Sequence, residues 1–292
     1  MNEESRLDFE QKHEEDLQRL RGFRLLDDDF MSKVFEDRKC AEFLLQVILN
    51  RNDLKVISVT SQYAIKNLQG RSVRLDILAV DQQDRVYNIE IQRNDKGAGV
   101  KRARYNSSLI DANVTEPGDQ YQELNETYVI FITENDVMKA GLPIYHIDRV
   151  VRETGKLFED EEHIIYVNSQ IKDETKLGRL MHDFSCTDAK DMYNKVLADR
   201  VRYFKEDERG VEIMCREMEI MRNQAHEEGI EKGRIMQLIK QVCVKMQKFS
   251  SAEEVANDLV EQDVPLIQKI MNVAPDFAPD YNVNDIYNAL KL

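Results

Sequence analysis

The sequence predicts an α/β fold: a mixed central β-sheet flanked by helices, with a helical C-terminal extension. Three observations carry this. Residues 72–92, SVRLDILAVDQQDRVYNIEIQ, hold two β-rich runs around a polar DQQD, which is a hairpin signal. Residues 127–133, TYVIFIT, form an apolar run typical of a strand buried on both faces. Helical periodicity precedes the hairpin, and from about Asp188 the composition shifts to dense charge, with no Pro over 188–249.

The elements follow in order. Residues 1–26 are dominated by charge and read as a frayed helix or mobile arm. Asp27, Asp28 and Asp29 offer N-cap acids to the next segment. There Phe30, Val34, Phe35, Phe43, Leu44, Val47 and Ile48 recur at helical spacing, so one or two amphipathic helices fit. Residues 54–60, LKVISVT, read as a strand, and SQYAIKNLQG as a connector to the hairpin. A Gly-containing loop follows Gln92. It leads into a basic helix on which Arg102, Tyr105, Leu109 and Ala112 share neighbouring rows, and the EPGD of 116–119 ends it. Short strands are expected at 143–147 and 163–168.

Beyond the sheet, Val211, Met214, Met218, Met221 and Ala225 follow an a/d heptad that breaks near Gly229 and Gly233. The SAEE of 251–254 is a capping box that starts a helical hairpin. The expected division is a charged arm over 1–26, an α/β domain over 27–187, long charged helices over 188–249 and a small helical unit over 250–292.

A chain of 292 residues is long enough for a sizeable core. Its net charge of −14 argues against a nucleic-acid binder held by overall charge. Residues 70–105 differ: eight Arg or Lys stand against five acids, a local excess of +3 on the hairpin and the helix after it. The four cysteines form no CxxC and the five histidines lack ligand spacing, so neither a disulfide framework nor a structural zinc site is expected. His146, His163 and His182 read as structural, and Ser107-Ser108 has no paired His. The N-terminus is charged rather than apolar, and no run approaches the ~20 residues that span a bilayer. A cytoplasmic location is the default.

The hairpin carries the anomaly. Asp76 sits among Leu75, Ile77 and Leu78, and Glu90 sits between Ile89 and Ile91. Acids are poor strand formers. A carboxylate in a half-buried strand costs several kcal/mol unless it is paired or holds a metal. If residue 83 centres the turn, Asp76 lies opposite Glu90, and Arg74, Asp76, Glu90 and Gln92 share one polar face. A two-residue loop at Gln82-Gln83 would put the acids on opposite faces. The polar pattern favours the odd loop. The competing reading is an edge hairpin whose acids point into water. Two convergent carboxylates suit a hard divalent cation such as Mg²⁺ or Mn²⁺, and the basic segment 93–104, with Arg74, suits phosphates.

Asp76 followed by Glu90-Ile91-Gln92 resembles the PD-(D/E)XK nuclease pattern. With NLQGRSVRLDI, YNIEIQ, KRARYNSSLID and LGRLMHDF, the chain over roughly 27–225 resembles the PD-(D/E)XK family transposases, the recombination-promoting nucleases. The resemblance implies a restriction-endonuclease-like core and a metal-dependent DNA endonuclease. It implies Asp76 and Glu90 as metal ligands, the Ile91 carbonyl as a third, and Arg104 and Tyr105 on a helix facing the site. Gln92 stands where the wider superfamily has Lys. Lys would position and deprotonate water, whereas Gln only positions it. Glu42 matches an acid carried on the first helix by many members. Arg74, Arg93, Lys101, Arg102, Arg104 and Tyr105 are the candidate nucleic-acid contacts. The alternative is a DNA-binding or protein-interaction module with a weakened site, acting through its C-terminal helices. Cutting both strands would favour a homodimer, for which the 188–249 helices are candidates.

Overall fold

In the computed structural model, residues 3–290 are described except 68, 69, 94, 116, 117 and 119, and without the side chains of 3–11, 29, 95 and 96. Most of the EPGD stop signal therefore lies outside the described residues. The chain divides into two compact units, residues 1–215 and 216–292.

The first unit opens with three helices, α1 (Glu3–Gly22), α2 (Asp28–Phe35) and α3 (Arg38–Ile48). Asp37 starts α3 in the way short acids do, accepting from the Lys39 and Cys40 N–H groups at 3.0 and 3.1 Å. Three strands follow, β1 (Val56–Ile65), β2 (Val73–Asp81) and β3 (Val86–Gln92). β1 runs five residues past the expected strand, taking SQYAI from the connector. That stretch pairs with β2 as far as Ile65↔Val73, with the register shift near the start of the strand, between Val56 and Ser58, and Gln62 at φ +49°. Then come α4 (Val100–Val114), β4 (Thr127–Thr133), β5 (Ile144–Ile147), the small pair β6 (Val150–Val151) and β7 (Lys156–Leu157), β8 (Glu162–Asn168), α5 (Lys176–Ser185) and α6 (Lys195–Glu206).

The six main strands form one mixed sheet in the order β1-β2-β3-β4-β8-β5. β3, β4 and β8 run parallel, and the strands flanking them are antiparallel. Helices α2 and α3 pack on β1 and β2, and α4 packs on β4. The central strands are covered on both faces, which is why β4 is buried at six of its seven positions. The Lys205 ammonium on α6 donates to the Arg21, Phe23 and Thr187 carbonyls, tying the end of α1 to α6.

α7 (Glu208–Lys245) is one unbroken helix that runs through Gly229 and Gly233. Met214 and Met218 of the heptad are buried. The second unit has its own core. Ile235, Leu238, Ile239 and Val242 of α7 meet Val255 of α8 (Ala252–Leu259), Ile267 and Ile270 of α9 (Val264–Val273) and Ile286 of α10 (Val283–Leu290). Ser251 and Glu254 form the reciprocal capping box at the start of α8. No helix among the described residues is long and apolar enough to cross a membrane.

Candidate active site

The turn between β2 and β3 sets the geometry. Asp81 and Arg85 close a three-residue loop in which Asp84 takes the left-handed conformation at φ +57°. The register is therefore the odd one: Val80 pairs with Val86, Leu78 with Asn88 and Ile77 with Ile89. Continued by one step, it sets Asp76 opposite Glu90.

There the ladder opens, and the side chains take over its hydrogen bonds. The Ile91 N–H donates to Asp76 Oδ2 at 3.0 Å, and the Asp76 N–H donates to Glu90 Oε1 at 3.4 Å. Each acid thus satisfies backbone on the other strand. Both are buried.

Helix α4 lies along the same face of β3, and the two repeats match. Four helical residues advance about 6 Å and two strand residues about 6.6 Å, so successive turns meet alternate strand positions. Leu109 and Ile110 pack with Val86. Asn106 Nδ2 donates to Asn88 Oδ1 at 3.2 Å. Arg102 Nη2 pairs with Glu90 Oε2. Gln92 lies against Gly97, where an added Cβ would meet Gln92 Oε1 at 1.8 Å. Asn88 Nδ2 also donates to Glu90 Oε1 at 3.0 Å, so this oxygen is held from two sides. Asn106 Oδ1 and Ser107 Oγ are buried without a hydrogen-bond partner among the described residues.

The electrostatics are unfavourable for two anions. Burial, the facing Glu90 and then Asp28 push the Asp76 carboxyl up to about 8. Burial also raises Glu90, against the opposing pull of Arg102 and the Asn88 hydrogen bond. Asp28 acts on both acids and is the helix-borne carboxylate whose charge reaches the pair. Sequence reasoning missed it because three consecutive Asp looked like capping acids. Glu42, the expected helix acid, has other partners: it accepts from Lys55 Nζ at 2.8 Å and from the Val56 N–H at 3.0 Å.

The expected cations separate into two groups. Arg74, Lys101, Arg102, Arg104 and Tyr105 line one groove of 940 Å³, with Arg71, which the sequence reading did not single out. Arg71, Arg74, Lys101 and Arg104 are exposed and form no ion pair among the described residues. Tyr105 Oη accepts from Asn67 Nδ2 at 3.1 Å and donates to the Arg71 carbonyl, bracing the groove wall. Arg93 stands apart, paired with Asp27 at 2.9 Å and Glu134 at 3.3 Å. A second cavity of 440 Å³, at the other ends of β4 and β8, is lined by Glu159–Glu162 and Asp148 and contains none of these residues.

One further group has metal-ligand chemistry. His182, Asp183 and Cys186 bring their donor atoms within 4.8 Å of one another, an arrangement the histidine spacing did not suggest. Its atoms are already committed. Asp183 accepts from the Tyr193 and Asn194 N–H groups at 2.8 and 2.9 Å, and burial pushes the Cys186 thiol up to about 11. The trio clasps the end of α5.

Residues 36–177 match the family model described as PD-(D/E)XK nuclease family transposase. No curated protein and no solved structure matches the chain. The matched stretch spans α3 to the first residues of α5. It contains Asp76, Glu90, Gln92 and the whole cationic groove, while Asp28 lies just before it. PD-(D/E)XK nucleases generally use divalent metals, and the opened β2–β3 pair fits such an ion. It offers two convergent buried carboxylates and one guanidinium against them, and Asp76 Oδ1 accepts no hydrogen bond among the described residues.

Proposed function

We propose that this protein is a divalent-metal-dependent DNA endonuclease of the recombination-promoting type. One observation carries the reading: two buried carboxylates converge where the β2–β3 ladder opens, beside a groove lined by five cations. Asp76, Glu90 and the Ile91 carbonyl would hold Mg²⁺ or Mn²⁺, and Asp28 adds negative charge from α2. Such a cation, when bound, acidifies a water and neutralises charge building on a phosphate.

The chain's own residues do the rest. Arg71, Arg74, Lys101 and Arg104 grip backbone phosphates and align the strand. Asn88 fixes Glu90 Oε1, so Oε2, which pairs with Arg102, is the oxygen that would hold the metal. Gln92 orients a water through its amide and takes no proton from it. The expected setting is the cytoplasm. Cutting of both strands calls for two copies of the chain, with the helices of 188–249 as the expected contact.

The test is supercoiled-plasmid cleavage in Mg²⁺ or Mn²⁺. Wild type should nick or linearise the DNA, and Asp76→Ala and Glu90→Ala should abolish this. Gln92 in the Lys position favours a second reading, a DNA-binding module with a weakened centre. Equal inertness of wild type and both variants, with DNA binding retained, would select it. Binding itself should weaken steeply with salt, because each phosphate contact releases counter-ions.

A further inference from the structure

Arg102 occupies an unusual position. Among the described residues it is the one groove cation that pairs with either acid. Its Nη2 pairs with Glu90 Oε2, the oxygen that no backbone or amide donor among the described residues holds. A metal between Asp76 and Glu90 would need that same oxygen. Arg102 is bonded to the groove wall as well as to the acid. Its side chain is 37% exposed, Nη1 donates to the Gly97 carbonyl at 2.9 Å, and the guanidinium stands 5.9 Å from the Phe131 ring centre. It also lines the groove whose other cations face open space.

We propose that Arg102 is a displaceable counter-ion, which neutralises Glu90 until a divalent cation takes Oε2 and then turns into the groove to bind a DNA phosphate. This rests on the metal-site reading above. Two cations cannot share one carboxylate oxygen without strong repulsion in a buried site. Metal binding therefore releases a guanidinium suited to bidentate phosphate contact. The reverse also holds: a phosphate that draws Arg102 out of the site removes the competitor for the metal. Metal and DNA backbone then bind with positive, reciprocal coupling.

Calorimetric titration of Mn²⁺ into the full chain tests this, with and without a short duplex carrying phosphorothioate linkages. Wild type should bind Mn²⁺ about tenfold more tightly with the duplex present. Arg102→Gln should bind Mn²⁺ severalfold more tightly without DNA and show coupling near one. Arg102→Lys keeps a charge beside Glu90 should the Gln variant fold poorly. It should bind Mn²⁺ like wild type and couple more weakly, since an ammonium lacks the bidentate fork. Coupling equal to wild type in both variants, or weaker Mn²⁺ binding by Arg102→Gln alone, overturns the proposal. Asp76→Asn separates the two ideas. If it binds Mn²⁺ as wild type does, the metal site itself is misplaced. If wild type takes up no Mn²⁺, both ideas fall.

Discussion

The β2–β3 hairpin buries carboxylates at both ends and treats them in opposite ways. At the turn, Asp81 is fully buried and fully satisfied. It accepts from the Gln83 and Arg85 N–H groups at 2.9 and 3.1 Å, from Arg85 Nε at 2.8 Å and from Tyr87 Oη at 2.7 Å. Burial works against its charge, yet these donors hold its carboxyl below the ordinary range. At the open end, Asp76 and Glu90 face each other with one guanidinium, paired to Glu90, and both are pushed upward. Charge and burial are alike at the two ends. The difference is the supply of donors. One end is a structural latch that closes the hairpin, and the other leaves a charge imbalance that a bound cation would relieve.

Removing the latch should have the largest effect. Asp81→Ala strands the Tyr87 hydroxyl and the Arg85 N–H in the interior and leaves the Arg85 guanidinium to Gln83 and Glu126. Loss of one partner from a buried pair costs about 3–5 kcal/mol, which chemical denaturation would read directly. A loss below about 1 kcal/mol would mean that water reaches the turn and the latch is not structural.

The same experiment at the open end should go the other way. Asp76→Asn replaces a repelled carboxylate with an amide that can donate to Glu90 and still accept from the Ile91 N–H. In chelator at about pH 8 the variant should be more stable than wild type by roughly 1–2 kcal/mol, the size of gain seen when function-driven strain is removed. Thermal or urea unfolding of the two proteins side by side decides this, and a variant less stable than wild type would sink the claim of strain.

The two ends also carry opposite pH slopes. The Asp76 carboxyl goes from an ordinary 3.8 when unfolded to about 8 when folded. Between those values the folded protein holds a proton that the unfolded chain has released. This contribution is fully present below about 3.8 and fades as pH rises toward 8. The advantage of Asp76→Asn over wild type should therefore widen across that window. Asp81 is depressed in the folded state, so its contribution is full above its unfolded value and disappears as pH falls below it. Unfolding curves at about pH 5 and about pH 8 without metal should show the Asp76→Asn gap growing while the Asp81→Ala gap stays level. Two parallel gaps would place the acids in equivalent surroundings.

The contrast bears on what a sequence reveals. The odd register followed from polar residues sharing a face, and the structure has it. The mixed sheet, the doubly buried β4 and the Ser251 capping box were also legible, because periodicity and local hydrogen bonding encode them. Asp81 was not. It stood in a polar DQQD that looked like plain turn, and only Arg85 and Tyr87 folding back over it make it interior. Asp28 hid in a run of three acids, and Glu42 drew attention through the family resemblance. Which helix acid faces the sheet depends on how α2 and α3 pack, and spacing along one helix does not encode that. The grouping of Arg71 with Arg74, Lys101 and Arg104, and the separation of Arg93, likewise depend on tertiary placement.

The smallest effect on stability should come at Gly97, and it sharpens what the open end is for. A Cβ there would fall 1.8 Å from Gln92 Oε1, the far end of a flexible side chain, so Gln92 can turn away without moving backbone. Gly97→Ala should leave unfolding within about 0.5 kcal/mol of wild type. The carboxylates keep their partners, so Mn²⁺ affinity should also be unchanged. Cleavage should nevertheless fall by about tenfold or more, because the amide that orients water has left its place. Plasmid cleavage by a variant with wild-type stability and metal affinity isolates that role. An unchanged rate would show that Gln92 is a neighbour of the chemistry and no part of it, and that the donor-poor end of the hairpin works through its two acids alone.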